Sequence, residues 1–203
     1  MNQHSPITSG IHIILASKSP RRLQLIATMG FSVTTVNIDV DEAIDPSTPL
    51  DQIAERLACR KAEGHDRSQL QEGEVLVTAD TIVVSGGRMM GKPHSREEAI
   101  AMLTTLSGHC HAVYTGVCLT TANVSKSFTE ASQVYFRHLS QDDIEYYVDT
   151  YKPYDKAGAY GIQEWIGMVG IERIEGCYYN VMGLPTARLY SEIMQTVACR
   201  HSC

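Results

Sequence analysis

The segment IHIILASKSPRRLQLIATMG, residues 11–30, decides how this chain is read. Residues 11–16 are a short, isoleucine-rich apolar run closed by turn chemistry, the pattern of a buried strand. Ser19 stands where an N-cap belongs, and Pro20 falls on the first helical position, where its missing N–H costs nothing. Leu23, Ile26 and Ala27 supply an apolar face, and Gly30 ends the helix. The stretch is strand, tight turn, helix start. Such a start presents unpaired N–H groups and the positive end of the helix dipole, which suits phosphate. Lys18, Arg21 and Arg22 add cations where the dipole opposes them. An anion bound there would reverse that penalty. A solvated basic turn and a Ser-Pro phosphorylation site are the other readings of the stretch by itself.

Working outward, FSVTTVNI (31–38) reads as a second strand and the acidic DVDEAIDPST (39–48) as a loop. Thr48 and Pro49 open a helix whose Leu50, Ile53, Ala54, Leu57 and Ala58 share one face. EVLVTAD (74–80) is a strand that continues through TIVVS to a Gly86-Gly87 turn. Ser95 with Glu98 forms a capping box, predicting a helix to about Leu106. Residues 111–121 and 125–136 are two strands joined near Asn123, and 140–151 is a capped amphipathic helix. The glycine-rich 152–163 reads as a loop, 165–176 as strand-like, and Pro185 begins a last helix. This order implies an α/β fold, a mixed sheet with flanking helices.

Composition narrows the function classes. The chain has 203 residues, 43% hydrophobic, 20% charged, with a net charge of -6. That supports a core for one domain or two small lobes, and argues against a general binder of nucleic acid polymers or of membrane surfaces. No apolar run reaches transmembrane length. Six cysteines (Cys59, Cys110, Cys118, Cys177, Cys199, Cys203) form no CxxC pair, so free thiols and a cytoplasmic location are expected. Residues 1–10 and 199–203 read as tails around a single domain over 11–198.

Several residues carry candidate chemistry. Asp80 ends a strand, where open α/β sheets place ligands, and a carboxylate there can hold Mg²⁺ or deprotonate water. By itself such a carboxylate would normally read as an edge residue or a cap. Asp41 and Glu42 in the acidic loop, and Lys61 and Lys92, fit a phosphate site or a plain surface. Ala157, Gly158, Ala159 and Gly161 would let backbone approach a flat ligand, and the Gln163 amide can read a base edge; a flexible loop is the alternative. His109 and His111 would share one face of a partly exposed strand, without further metal ligands. There is no P-loop and no G-x-S-x-G.

Taken together, LASKSPRR, RLACRKA, TADTIVV, GKP, LSG, DKAGAYGIQ and YYNVMGLP resemble, in order and spacing, the Maf nucleotide pyrophosphatases, from about Ile13 to Leu189. The resemblance implies a mixed, twisted sheet with flanking helices in two lobes around a cleft, an inosine-triphosphatase-like architecture. It implies Mg²⁺- or Mn²⁺-dependent hydrolysis of a nucleoside triphosphate to the monophosphate and pyrophosphate, by a homodimer. Ser17, Arg21, Arg22 and Lys61 would bind the phosphates. Asp80 and Lys92 would be catalytic, and Asp80 with Glu42 would hold the metal. Thr81 and Gln163, with Arg21, match positions associated with base choice. Their form is similar to the branch acting on dTTP, UTP and modified pyrimidine nucleotides, with nucleotide-pool sanitation as the role. The other expectations are the same chemistry on 7-methyl-GTP, or a nucleotide-binding regulator linked to cell division.

Overall fold

The computed structural model describes residues 6–198. Seven strands form one sheet in the order β2-β1-β3-β5-β6-β7, with β4 pairing β3. The strands are β1 (His12–Ala16), β2 (Ser32–Thr35), β3 (Glu74–Ser85), β4 (Arg88–Met90), β5 (Cys110–Thr120), β6 (Ser125–Phe136) and β7 (Ile171–Glu175). Helices α1 (Pro20–Thr28), α2 (Leu50–Glu63), α3 (Arg96–Leu106), α4 (Gln141–Tyr151), α5 (Trp165–Gly170), α6 (Tyr178–Val181) and α7 (Thr186–Ala198) accompany them. The sheet is mixed: β1 is parallel to β2 and β3, whereas β4 on β3 and β7 on β6 are antiparallel. The α/β reading of the sequence is what the structure contains.

The chain divides into two compact units. The first is drawn from Met1–Asp80, Thr115–Thr129 and Gly183–Cys203, the second from Thr81–Tyr114 and Glu130–Met182. In the first, β1, α1 and β2 form a parallel crossover, with His12 opposite Ser32 and Leu15 opposite Thr35. The apolar face of α2 buries Ile53, Ala54, Leu57, Ala58 and Ala62, and its alanines pack with Ala16, Leu76 and Cys118. In the second, α3 and α4 bury Leu103, Leu106, Ile144, Tyr147 and Val148 in one core with Val113, Val134 and Phe136. Ser140 and Asp143 close a reciprocal capping box at the start of α4.

Three sequence expectations are corrected. The strand expected over 31–38 pairs only at 32–35, because its partner β1 ends at Ala16; Val36 and Ile38 instead pack beside Ala16 and Ala58. The strand expected over 165–176 is a helix followed by a strand: Ile166 and Gly170 are both buried, a four-residue spacing that belongs to a helix. His111 lies on β5 as expected, but it is 2% exposed rather than partly exposed, since Phe136 and Tyr160 pack on its ring. Of the expected tails, residues 1–5 and 199–203 lie outside the described residues. Pro6–Thr8 form a 3-10 turn, and the buried Thr8 hydroxyl donates to the Gly30 carbonyl at 2.6 Å. Among the described residues, no helix is long and apolar enough to cross a membrane.

Candidate active site

In the first unit, strand alternation sets the pattern. Thr78 and Asp80 point to the same face of β3, two residues apart. The fully buried Thr78 hydroxyl donates to the Ala58 carbonyl of α2 at 2.6 Å, fixing that helix against the strand. One turn further along α2, Lys61 reaches Asp80: its Nζ lies 2.5 Å from Asp80 Oδ2 and 2.8 Å from Glu42 Oε1. The Lys61 and Asp80 side chains are each 18% exposed, while Glu42 is 59% exposed. Burial works against the Lys61 charge, but Asp80 and then Glu42 outweigh it and hold its pKa above the usual lysine value. Two carboxylates thus converge on one ammonium.

Glu42 comes from the acidic loop, and Arg60 is the reason that loop is there. Its Nη1 donates to the carbonyls of Asp41 at 2.8 Å and Ala43 at 2.5 Å, on either side of Glu42. The Asp41 carboxylate accepts from the Ala43 N–H at 2.9 Å, closing a tight local turn. The sequence reading did not single out Arg60. Bonds to main-chain carbonyls leave no signature in residue types, although its place beside Lys61 in RLACRKA was a hint.

The turn before α1 is built differently from a simple capped start. Ser19 makes no side-chain cap; its N–H donates instead to Ser17 Oγ at 3.1 Å. Asp80, expected at a strand end, sits midway along β3, which runs on to Ser85. Arg22 reaches that point, donating to the carbonyl of Ala79 at 2.8 Å and to that of Gly183 at 2.8 Å. Burial lowers the Arg22 pKa, Asp80 raises it, and Arg21 lowers it further. The residue immediately before Asp80 is therefore held by Arg22. Arg21 is half-buried and Lys18 exposed.

In the second unit, Thr81 follows Asp80 in the chain, Lys92 is exposed, and Gln163 is half-buried. The Gly158 N–H donates to the Gly91 carbonyl at 3.0 Å, tying the GKP turn that carries Lys92 to the KAGAYG segment. Gly158 (φ 70°) and Ala159 (φ 59°) both adopt left-handed backbone, and Ala159 does so while fully buried. A non-glycine residue held there stores backbone strain of the kind found at ligand clamps. Two residues on, the Gly161 N–H donates to Tyr147 Oη at 3.0 Å, and Tyr147 Oη donates to the Glu164 carboxylate. Lys156, 8% exposed, closes the network with Asp155 at 2.7 Å and Glu164 at 3.1 Å. The segment expected to be a loop is a clamped one. Lys156, Glu164 and Tyr147 were missed, although Lys156 and Glu164 bracket the small residues that drew attention.

Glu42, Lys61, Asp80, Arg22 and Ser17 thus fall in one unit, and Thr81, Lys92 and Gln163 in the other. Among the described residues, no group of three or more His, Cys, Asp or Glu side chains could hold a metal ion without help. Two carboxylates meeting at one positive centre nevertheless suit Mg²⁺ or Mn²⁺, which Mg²⁺ sites commonly bind through one or two carboxylates plus substrate phosphates.

The profile of the family described as Maf-like protein matches residues 12–196. Among similar proteins, a dTTP/UTP pyrophosphatase of Bacteroides thetaiotaomicron is 51% identical over 182 residues, covering 89% of this chain and 94% of that one. A dTTP/UTP pyrophosphatase of Parabacteroides distasonis is 48% identical, covering 89% of this chain and 94% of that one. The solved structure of the Staphylococcus aureus Ham1 protein covers 89% of this chain and 99% of its own at 16% identity, with a TM-score of 0.49.

Proposed function

This chain belongs to the Maf family, and on that footing we propose that it hydrolyses nucleoside triphosphates, dTTP and UTP first among them, to the monophosphate and pyrophosphate. The observation that carries the reading is the Glu42–Lys61–Asp80 cluster midway along β3, held from two sides by Arg60 and Thr78. A pure anion binder gains nothing from two carboxylates beside a phosphate; a hydrolase needs them.

Asp80 would accept a proton from water as the water oxygen bonds to the α-phosphorus and the bond to the bridging oxygen breaks, releasing pyrophosphate. Lys61 stays cationic and would put its ammonium on the triphosphate, as would Arg21, so that the negative substrate does not repel the nucleophile. Arg22 would keep Asp80 on line through the Ala79 carbonyl. A divalent cation, Mg²⁺ or Mn²⁺, would be held by Asp80 and Glu42 and would supply neutralisation of phosphate charge and a lower pKa for bound water. Lys92 would serve the departing phosphates, and Thr81 and Gln163 would read the pyrimidine. Modified pyrimidine nucleotides would be the wider substrate range, pool sanitation the role, and a cytoplasmic homodimer the working form.

The test is pyrophosphate release with Mg²⁺ from dTTP, UTP, 5-methyl-UTP, CTP, GTP and 7-methyl-GTP, with an EDTA control. Selective release from dTTP and UTP, lost with EDTA, is expected. Preference for 7-methyl-GTP would overturn the base assignment. Binding without release from any of them would overturn hydrolysis in favour of a nucleotide-sensing regulator.

A further inference from the structure

A second constellation lies in the first unit and takes no part in this chemistry. Cys59 on α2 is partly exposed and lines an open groove of about 600 Å³ with Glu55, Arg56 and Arg60. Cys118 on β5 is 3% exposed, and Cys59 packs against the same buried cluster. Around Cys118 stand hydroxyls: Thr120 Oγ1 at 3.7 Å and Ser125 Oγ at 3.5 Å. Both thiols are free in the structure, and the Cys59 thiol donates toward the Cys118 sulfur.

The backbone explains why two such sulfurs meet. At Gly116 a Cβ would lie 2.1 Å from Glu55 N and 2.2 Å from the Ala54 carbonyl carbon, so α2 and β5 touch main chain to main chain. Cys118 is two residues from Gly116 on the same strand face, and Cys59 is one helical turn from Glu55. Those steps are nearly equal, about 6.6 Å along a strand and about 6 Å along a helix. Close backbone approach is what a disulfide requires, with Cα atoms within about 7 Å. Glu55 pins the other side, its carboxylate accepting from Ser127 at 2.7 Å and Thr129 at 2.7 Å on β6.

We propose that Cys59 and Cys118 are an oxidative modification site, closing a reversible disulfide between α2 and β5 when the chain meets a peroxide. Hydrogen bonds from Cys59, Ser125 and Thr120 favour a thiolate at Cys118 and lower its pKa, while Cys118 and burial raise that of Cys59. Cys118 is therefore the thiolate, and Cys59 is the neighbouring thiol that opens to the groove. The Cys118 sulfur attacks hydrogen peroxide admitted beside Cys59: the S–O bond forms, the O–O bond breaks, and the departing hydroxide takes a proton to become water. The Cys59 sulfur then attacks the resulting sulfenic sulfur: the S–S bond forms, the S–O bond breaks, and the second hydroxide leaves with the Cys59 proton as water. Two thiols and one peroxide give one disulfide and two waters. A dithiol reverses the reaction by exchange.

The test uses the full chain, exposed to hydrogen peroxide, quenched with an alkylating agent, and mapped without reduction. The expected result is one cross-linked species joining the Cys59 and Cys118 peptides, about 2 Da lighter than the two free thiols and opened by dithiothreitol. The oxidised chain should melt higher by about 5 °C or more. Cys59→Ser should lose both the cross-link and the shift, and Cys110→Ser and Cys177→Ser should keep them. Overoxidised or singly alkylated Cys59 with Cys118 still a thiol would overturn the proposal, as would a cross-link to any other cysteine. The reading is a mass on the wild-type chain, so it stands or falls apart from the hydrolase assignment.

Discussion

Asp80→Asn is the sharpest perturbation of the proposed chemistry, because it removes a charge while keeping the shape. In the parent cluster, two carboxylates, Glu42 and Asp80, face two cations, Lys61 and Arg22. With the amide, one carboxylate faces both cations, so affinity for a triphosphate should hold or rise. The cost to folding can be bounded. Removing one member of a buried pair costs roughly 3–5 kcal/mol, but Lys61 keeps Glu42 at 2.8 Å and both ends retain some exposure, which reduces the loss to about 2 kcal/mol. For a chain of this size that is a fall in Tm of roughly 4–8 °C, leaving the protein folded at assay temperature. Turnover should fall by about a thousandfold or more, the usual scale for losing a general base together with a charge that orders the phosphates. Pyrophosphate release from dTTP measures kcat, and equilibrium dialysis with dTTP in EDTA measures binding. A folded Asp80→Asn protein that turns over within tenfold of the parent would refute the assignment.

Other outcomes follow from the same geometry. Arg22→Lys should lose the paired bonds to Ala79 and Gly183, destabilise the chain by about 1–3 kcal/mol in urea unfolding, and lower kcat more than it raises KM. Tyr147→Phe should cost about 1–3 kcal/mol by stranding the Gly161 N–H and one oxygen of Glu164, and should raise KM for dTTP if the clamped segment reads the base. His111 supplies a pH signature. Burial pushes its pKa down to about 4, so the folded chain holds it neutral where the unfolded chain protonates near pH 6.5. Its stabilisation is present above pH 6.5 and is lost as pH falls through 4, about 2 kcal/mol of it by pH 5. Urea unfolding at pH 7.5 and pH 5 should show that loss in the parent and a flatter profile in His111→Gln; equal slopes would exclude His111 as the source.

Much of the architecture was legible because it rests on local chemistry. The apolar run at 11–16, Pro20 at the first helical position, the face of α2 and the caps of α3 and α4 each state an element in a few residues, and each element stands where it was read. The box expected at α3 is not reciprocal, however: Ser95 accepts from the Glu98 N–H, while the Glu98 carboxylate accepts from the His94 N–H. The misreadings share a cause: partners set them. How far β2 runs depends on where β1 stops, the helix at 165–170 depends on a core under Ile166, and His111 is buried by Phe136 and Tyr160, residues 25 and 49 positions away. The site divides the same way. Asp80, Lys61 and Glu42 are charged residues that a family pattern can align. Arg60 acts through carbonyls, and the buried Lys156 through the half-buried Glu164 carboxylate, and no pattern of residue types announces either.

Arg22 joins the two kinds of reading. Cations in the first turn of α1 break a local rule, and the sequence reading resolved the conflict with a bound anion. Part of the resolution is internal. Asp80 raises the Arg22 pKa, and the guanidinium donates to the carbonyl of Ala79, the residue before Asp80, and to that of Gly183, distant in the chain. A guanidinium can bind two carbonyls in fixed directions where an ammonium cannot, so the residue type is explained before any substrate arrives. On the proposed function, Arg22 would act on the reaction through where it holds Asp80, and Arg21 with Lys61 would meet the triphosphate. Arg22→Lys against Arg21→Lys separates the two roles: the first should lower stability and kcat, the second should raise KM.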